Sequence, residues 1–126
     1  MDFVKLGDET VEMLKRHWEN GWNSGDLDMI MAPFAEDILF SSPGIALMTR
    51  DPSKTSIQGR DAVRDYVGNA LKRTNDVRYT LRAAYVGTDS VILAYDCGLP
   101  GGAQKAGADS MRVDAEGTVV EWRCHY

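Results

Sequence analysis

From Val77 to Tyr126 the sequence reads as an antiparallel meander, and that meander dictates what the rest of the chain must supply. Val77, Tyr79, Leu81, Ala83 and Tyr85 alternate with Arg78, Thr80 and Arg82, the period of a strand with one buried face. Gly87-Thr88-Asp89 turns into a second strand, Ser90 to Cys97, whose more continuous apolar run marks a central position. Leu99-Pro100-Gly101-Gly102 leads into a third strand, roughly Lys105 to Asp114, and Ala115-Glu116-Gly117 makes the last hairpin turn. In the final strand Val120, Trp122, Cys124 and Tyr126 share one face, and Val119, Glu121, Arg123 and His125 share the other. A sheet of this kind must cover one face, and only the N-terminal part of the chain can do so.

That part reads as helices. Val11, Leu14, Trp18 and Trp22 recur at spacings of three and four between about Glu9 and Ser24, with Asp8 as the expected N-cap and Gly25 as the left-handed stop. Asp26 caps a second, shorter helix carrying Leu27, Ile30, Met31 and Phe34, which Pro33 ends early. Ile38 to Ser42 is a short strand closed by Pro43-Gly44, and a long loop is expected from there to about Gln58. A third helix follows Gly59, with Val63, Tyr66, Val67, Ala70 and Leu71 on one face and Lys72-Arg73 at its end. The expectation is one α+β domain over residues 1–126, in which a curved antiparallel sheet wraps three N-terminal helices and leaves a conical hollow with an apolar wall.

Composition narrows the function. An apolar fraction of 44% and a charged fraction of 26% belong to an ordinary globular chain. A net charge of -5, with basic residues scattered among acids, argues against nucleic acid as a partner. The opening MDFVKLGDET has neither the basic region nor the apolar stretch of a secretory leader, and no run approaches a membrane span, so a cytoplasmic protein without membrane contact is expected. Cys97 and Cys124 stand singly in apolar runs and read as buried free thiols. His125 follows Cys124 directly, so on a strand the two point to opposite faces and make no Cys–His pair. His17 and His125 have no partners at ligand spacing, which gives no support for a metal, and no phosphate loop or nucleophile motif suggests a cofactor.

Several motifs follow one another in a telling order. They are Trp18-x3-Trp22-x2-Gly25-Asp26-Leu27, Phe34-Ala35-Glu36-Asp37 before a strand ending Ser42-Pro43-Gly44, Gly59-Arg60-Asp61-Ala62-Val63 at a helix start, and Val113-Asp114-Ala115-Glu116-Gly117 before the last strand. Together they resemble the SnoaL-like and ketosteroid-isomerase-like proteins of the nuclear-transport-factor-2-like superfamily, across nearly the whole chain. The resemblance implies a cone-shaped α+β fold, a small-molecule pocket, and a homodimer formed through the outer sheet face. Activity does not follow, because this fold hosts isomerases, cyclases, hydrolases, dehydratases and proteins with no catalysis.

Ketosteroid isomerases use an aspartate base opposite a tyrosine and a protonated aspartate. Aligning the motifs puts Trp18 at the tyrosine, Ser42 at the base and Asp109 at the protonated aspartate. A serine without its own base does not remove a carbon-bound proton near neutral pH, so steroid isomerisation by that route is not expected. Asp109 is the catalytic candidate: in register with Met111 and Val113 it sits in an apolar wall that would raise its pKa, unless it lies at an edge paired with an arginine such as Arg82. Asp96 either joins it as a second carboxylate or faces outward, as alternation with Tyr95 and Cys97 favours. Tyr66 either offers a phenol to the ligand or is a core tyrosine. With Trp18, Trp22, Phe40, Ser42, Trp122 and Tyr126 these complete the expected substrate-binding set, suited to a small apolar organic molecule. The reaction implied is cofactor-independent acid–base chemistry of the isomerase, cyclase or hydratase type. A non-catalytic ligand-binding or dimerisation module is the alternative.

Overall fold

A computed structural model describes residues 4–126, so Met1, Asp2 and Phe3, read above for a leader, lie outside the described residues. In chain order the elements are α1 (Asp8–Ser24), α2 (Leu27–Met31), β1 (Phe34–Ser41), α3 (Pro43–Thr49), β2 (Ser56–Gln58), α4 (Arg60–Arg73), β3 (Arg78–Val86), β4 (Ser90–Gly98), β5 (Gln104–Val113) and β6 (Val119–His125). The six strands form one open, curved sheet in the order β2-β1-β6-β5-β4-β3. Among the described residues only β1 and β6 pair in parallel. This is the expected α+β architecture of helices followed by a meander. No described helix is long and apolar enough to cross a membrane.

Three local expectations are corrected. Asp8 is the first helical residue and Gly7 the N-cap, so Asp8 joins Glu9 in the acid-favouring first turn instead of capping it. The segment read as a long loop holds α3, whose N-cap is Ser42 and whose first residue is Pro43, and the short edge strand β2. Strand β1 also starts earlier than expected, at Phe34. As read from sequence, Gly25 closes α1 at φ 67° and the Asp26 side chain accepts from Met29 N–H at 3.0 Å.

Irregular pairing bends the sheet and breaks the simple alternation. Leu81 pairs with Tyr95 and Ala83 with Ala94, so Arg82 is the extra residue on β3. Beyond that bulge the inward face passes to Ala84 and Val86, and Tyr85, expected on the buried face, is 62% exposed. Likewise Arg112 pairs with Glu121 and Val113 with Val119, which leaves Val120 extra on β6. Val119, expected on the face opposite Trp122, is therefore buried alongside it.

The helices cover the concave side, α1 against β3 and α4 against β1. Edge strand β3 would otherwise present unpaired backbone groups. Asn23 on α1 satisfies Tyr79 from both sides, donating to its carbonyl and accepting from its N–H at 2.8 Å each. Glu19 accepts from Leu81 N–H at 2.7 Å. Arg60 ties α4 to the turn before β1 through the carbonyls of Met31 and Phe34. Leu14, Met31, Ile38, Val63, Val67, Val91 and Leu93 fill the closed end of the cone. Towards the other end the filling is aromatic, and there it opens into a cavity.

Candidate functional site

The cavity has a volume of about 580 Å³, in the range of small-molecule sites. Its wall is largely aromatic, with Trp18 and Trp22 from α1, Tyr66 from α4, Tyr79 from β3, Tyr95 from β4 and Trp122 from β6. The rings pack on one another at angles: Trp18 lies 4.5 Å from Tyr95, Trp122 lies 4.3 Å from Phe40, and Trp18 meets Tyr79 edge-on at 5.5 Å.

Asp109 forms the floor. Alternation along β5 turns it inward, and it is 2% exposed. Its Oδ2 accepts from Trp18 Nε1 at 2.8 Å and from Trp122 Nε1 at 2.9 Å, while its Oδ1 receives the Tyr95 hydroxyl at 2.9 Å. Burial pushes its pKa up, and the bonds from Trp122, Trp18 and Tyr95 offset part of that rise. Tyr95 is raised as well, by burial and by the neighbouring carboxylate, so its phenol keeps its proton.

An indole N–H can only donate, so Oδ2 is an acceptor in every protonation state. A proton taken up by Asp109 must reside on Oδ1. With Asp109 ionised, Tyr95 donates to Oδ1. With Asp109 protonated, Oδ1–H donates to Tyr95, and the phenol proton is free to turn towards the cavity. Two donor-only indoles thus confine any proton on Asp109 to the oxygen that faces Tyr95.

Register explains how Tyr95 reaches this position. It lies opposite Gly107, whereas Asp109 lies opposite Leu93, so the phenol crosses to its diagonal neighbour on β5. The crossing needs a glycine, since a Cβ at position 107 would stand 2.8 Å from Tyr95 Cε2 and 2.9 Å from its Cζ and hydroxyl oxygen. Cys124 faces Asp109 across β5 and β6, and burial beside that carboxylate pushes its thiol well up.

Of the residues expected to bind ligand, Trp18, Trp22, Phe40, Tyr66, Trp122 and Tyr126 line the cavity together with Asp109. Tyr126, 66% exposed, stands at the mouth, where burial of its inner side pushes its pKa up to about 12. Ser42 is not part of the wall. Its hydroxyl accepts from Gly44 N–H at 3.2 Å as the cap of α3 and shares a hydrogen bond with Tyr126 at 2.8 Å. Asp96 takes the outward alternative that alternation favours and so leaves the binding set: it faces the outer side of the sheet and holds Arg82 at 2.6 Å, the arginine considered above for Asp109. Sequence reasoning missed Tyr95 and Gly107. The alternation that sends Asp96 outward sends Tyr95 inward, and a glycine inside a strand marks close approach.

Both cysteines are free. Cys124 lines the cavity, while His125 faces the outside and pairs with the Ser110 hydroxyl at 3.0 Å, which separates the two as expected. His17 bonds the Met29 carbonyl at 2.9 Å. Among the described residues no three His, Cys, Asp or Glu side chains gather to hold a metal ion.

The bent sheet, the helical cover and the aromatic cavity define a cone-shaped domain of the nuclear-transport-factor-2-like class. The chain belongs to the SnoaL-like domain family, whose pattern it matches over residues 14–125. It is similar to a SnoaL-like protein of unknown function from Burkholderia thailandensis, with 26% identity, a TM-score of 0.82, and 96% of this chain covering 98% of that one. An epoxide hydrolase/cyclase-like enzyme with a role in pyran ring formation in the polyether salinomycin shares 20% identity and a TM-score of 0.70, over 93% of this chain and 89% of that one. A Mycobacterium tuberculosis protein in complex with estradiol-17β-hemisuccinate shares 18% identity and a TM-score of 0.68, over 93% and 92% respectively. The last two likenesses, at such identities, show the fold alone. No curated protein matches the sequence.

Proposed function

We propose that the protein binds a small apolar organic molecule in the aromatic cavity and acts on it as a cofactor-independent acid–base catalyst of the isomerase, cyclase or hydratase type. The observation that carries this reading is the buried carboxylate of Asp109, fixed by Trp18 and Trp122 on one oxygen and linked by the other to Tyr95 at the cavity wall. Tyr95 delivers its phenol proton to a ligand oxygen that gains negative charge, and Asp109 Oδ1–H replaces it. One proton leaves Asp109, one reaches the ligand, and Tyr95 ends unchanged. The reverse sequence takes a proton from a ligand hydroxyl. Trp18, Trp22 and Tyr79 orient the ring body by stacking.

The test is turnover of a panel containing an enone, a cyclisable ketone and an epoxide, by wild type and by Asp109→Asn. Loss of turnover in a variant that keeps its thermal midpoint supports the assignment. Equal turnover overturns it. One observation favours a second reading, a ligand-binding module without catalysis: both oxygens of Asp109 are engaged and almost none of the residue is exposed. Saturable binding with no turnover of any panel member by wild type supports that reading. We carry the family's dimer into the same proposal, through the exposed cross-strand pair Tyr85 and Ile92 on the outer sheet face. Light scattering that returns twice the chain mass of 14.0 kDa supports it, and a monomer mass removes it.

A further inference from the structure

We infer that the ligand is an organic anion, with an apolar ring body inside the cavity and its acidic group at the mouth beside Lys105. The inference rests on the small-molecule reading above and names the substrate class. The inner face of β5 carries Lys105, Gly107, Asp109, Met111 and Val113 in alternation, running from exposed through half-buried to buried. It is a graded track from a cationic rim, past a gap in the side chains, to a buried carboxylate and then the core.

Among the described residues, Lys105 is the only basic one lining the cavity. It joins no ion pair among the described residues, so no neighbouring acid neutralises its charge. It sits directly opposite Cys97, another lining residue, on the cavity side of the strand. The nearest acid in the register, Asp96, is on the other face and engaged with Arg82.

The chain as a whole carries a net charge of -5, so an unpaired cation at the mouth is not part of a general basic surface. Four steps along the extended strand separate Lys105 from Asp109, roughly 13 Å. That span suits a fused-ring molecule with an acidic group at one end and a carbonyl or hydroxyl oxygen at the other. The distance also keeps the ligand's anion away from Asp109, where a second negative charge would oppose binding.

Two fluorescent probes separate the contributions. Anilinonaphthalene sulfonate and phenylnaphthylamine share a ring skeleton and differ by the sulfonate. Wild type is expected to bind the sulfonate at least about threefold more tightly than the amine at low salt, and the preference is expected to shrink as salt is added. Lys105→Gln, on an exposed side chain, keeps the thermal midpoint and abolishes the preference. Lys105→Glu reverses it. An unchanged ratio of the two affinities in both variants overturns the anion assignment while leaving the cavity reading intact. Saturable binding of the amine but not of the sulfonate overturns the anion assignment alone, and failure of both probes to bind saturably overturns the cavity reading and this inference together.

Discussion

Replacing Asp109 by Asn and by Leu separates the hydrogen-bonding role of its carboxylate from its charge. Asn retains one oxygen, which can accept from Trp18 and Trp122 as Oδ2 does now, and its amide can donate to Tyr95 as a protonated Oδ1 would. It is a fixed copy of the neutral aspartic acid. Leu fills a similar space but leaves two buried indole donors without acceptors. Each orphaned donor costs about 1–3 kcal/mol, and Tyr95 can turn towards the cavity and avoid the same fate. Relief from burying a carboxylate offsets part of that sum, so Asp109→Leu should lose about 3 kcal/mol. For a chain of this size that is a fall of roughly 10 °C in thermal midpoint. Asp109→Asn should be no less stable than wild type at neutral pH, because it carries no buried charge. Calorimetry or circular dichroism melts on the three proteins decide the matter. An Asn variant destabilised as much as the Leu variant would refute the idea that the site needs an acceptor and not a charge.

Further outcomes follow from the same geometry. Burial raises Asp109 in the folded protein, so the folded state binds its proton more tightly than the unfolded chain, where the carboxyl titrates near ~3.9. From that value up to the folded pKa stability falls as pH rises, by about 1.4 kcal/mol for each unit of separation, and it stays lower above that window. Asp51 and Glu121, held low mainly by hydrogen bonds from Ser53 and Arg123, act in the opposite sense at lower pH. The measurement is therefore the stability difference between wild type and Asp109→Asn across pH, and a flat difference would exclude the raised carboxyl. Gly107→Ala should drive the Tyr95 ring off Asp109, costing about 1–3 kcal/mol by overpacking and changing the pH dependence of tryptophan fluorescence; an unchanged titration would show that Tyr95 does not govern the proton. Asn23→Ala removes both bonds to the backbone of Tyr79, so the Tyr79 amide should exchange hydrogen faster while the Val91 amide in the central strand does not.

The fold was legible because it depends on periods. Trp18, Val63, Val67, Leu93 and Met111 follow helical or strand spacing, and each is buried where that spacing puts it. The misreadings occur where the period breaks. The extra residues Arg82 and Val120 shift the faces of β3 and β6, and nothing local in the sequence announces a bulge; Tyr85 and Val119 therefore changed sides. Short α3 was hidden because Pro43-Gly44 reads as a turn, although a proline is equally at home in the first turn of a helix behind a serine cap. That same cap removed Ser42 from the binding set. Asp109 was legible as a charge inside an apolar strand. Its partners were not, because the bonds from Trp18 and Trp122 join residues 91 and 13 positions away, and Tyr95 arrives only by crossing over Gly107.

All three tryptophans line the cavity, and two of their indole N–H groups are bonded to Asp109, which makes them direct reporters of occupancy. In nitrogen-15-labelled protein the three indole resonances, assigned by single Trp→Phe replacements, can be followed during titration with phenylnaphthylamine. Predicted are saturable shifts of the indole signals with a single dissociation constant, while the amides of exposed Tyr85 and Ile92 on the outer face remain still. Saturable shifts confined to the outer face, or no saturable indole shift at all, would contradict the assignment of this cavity as a binding site.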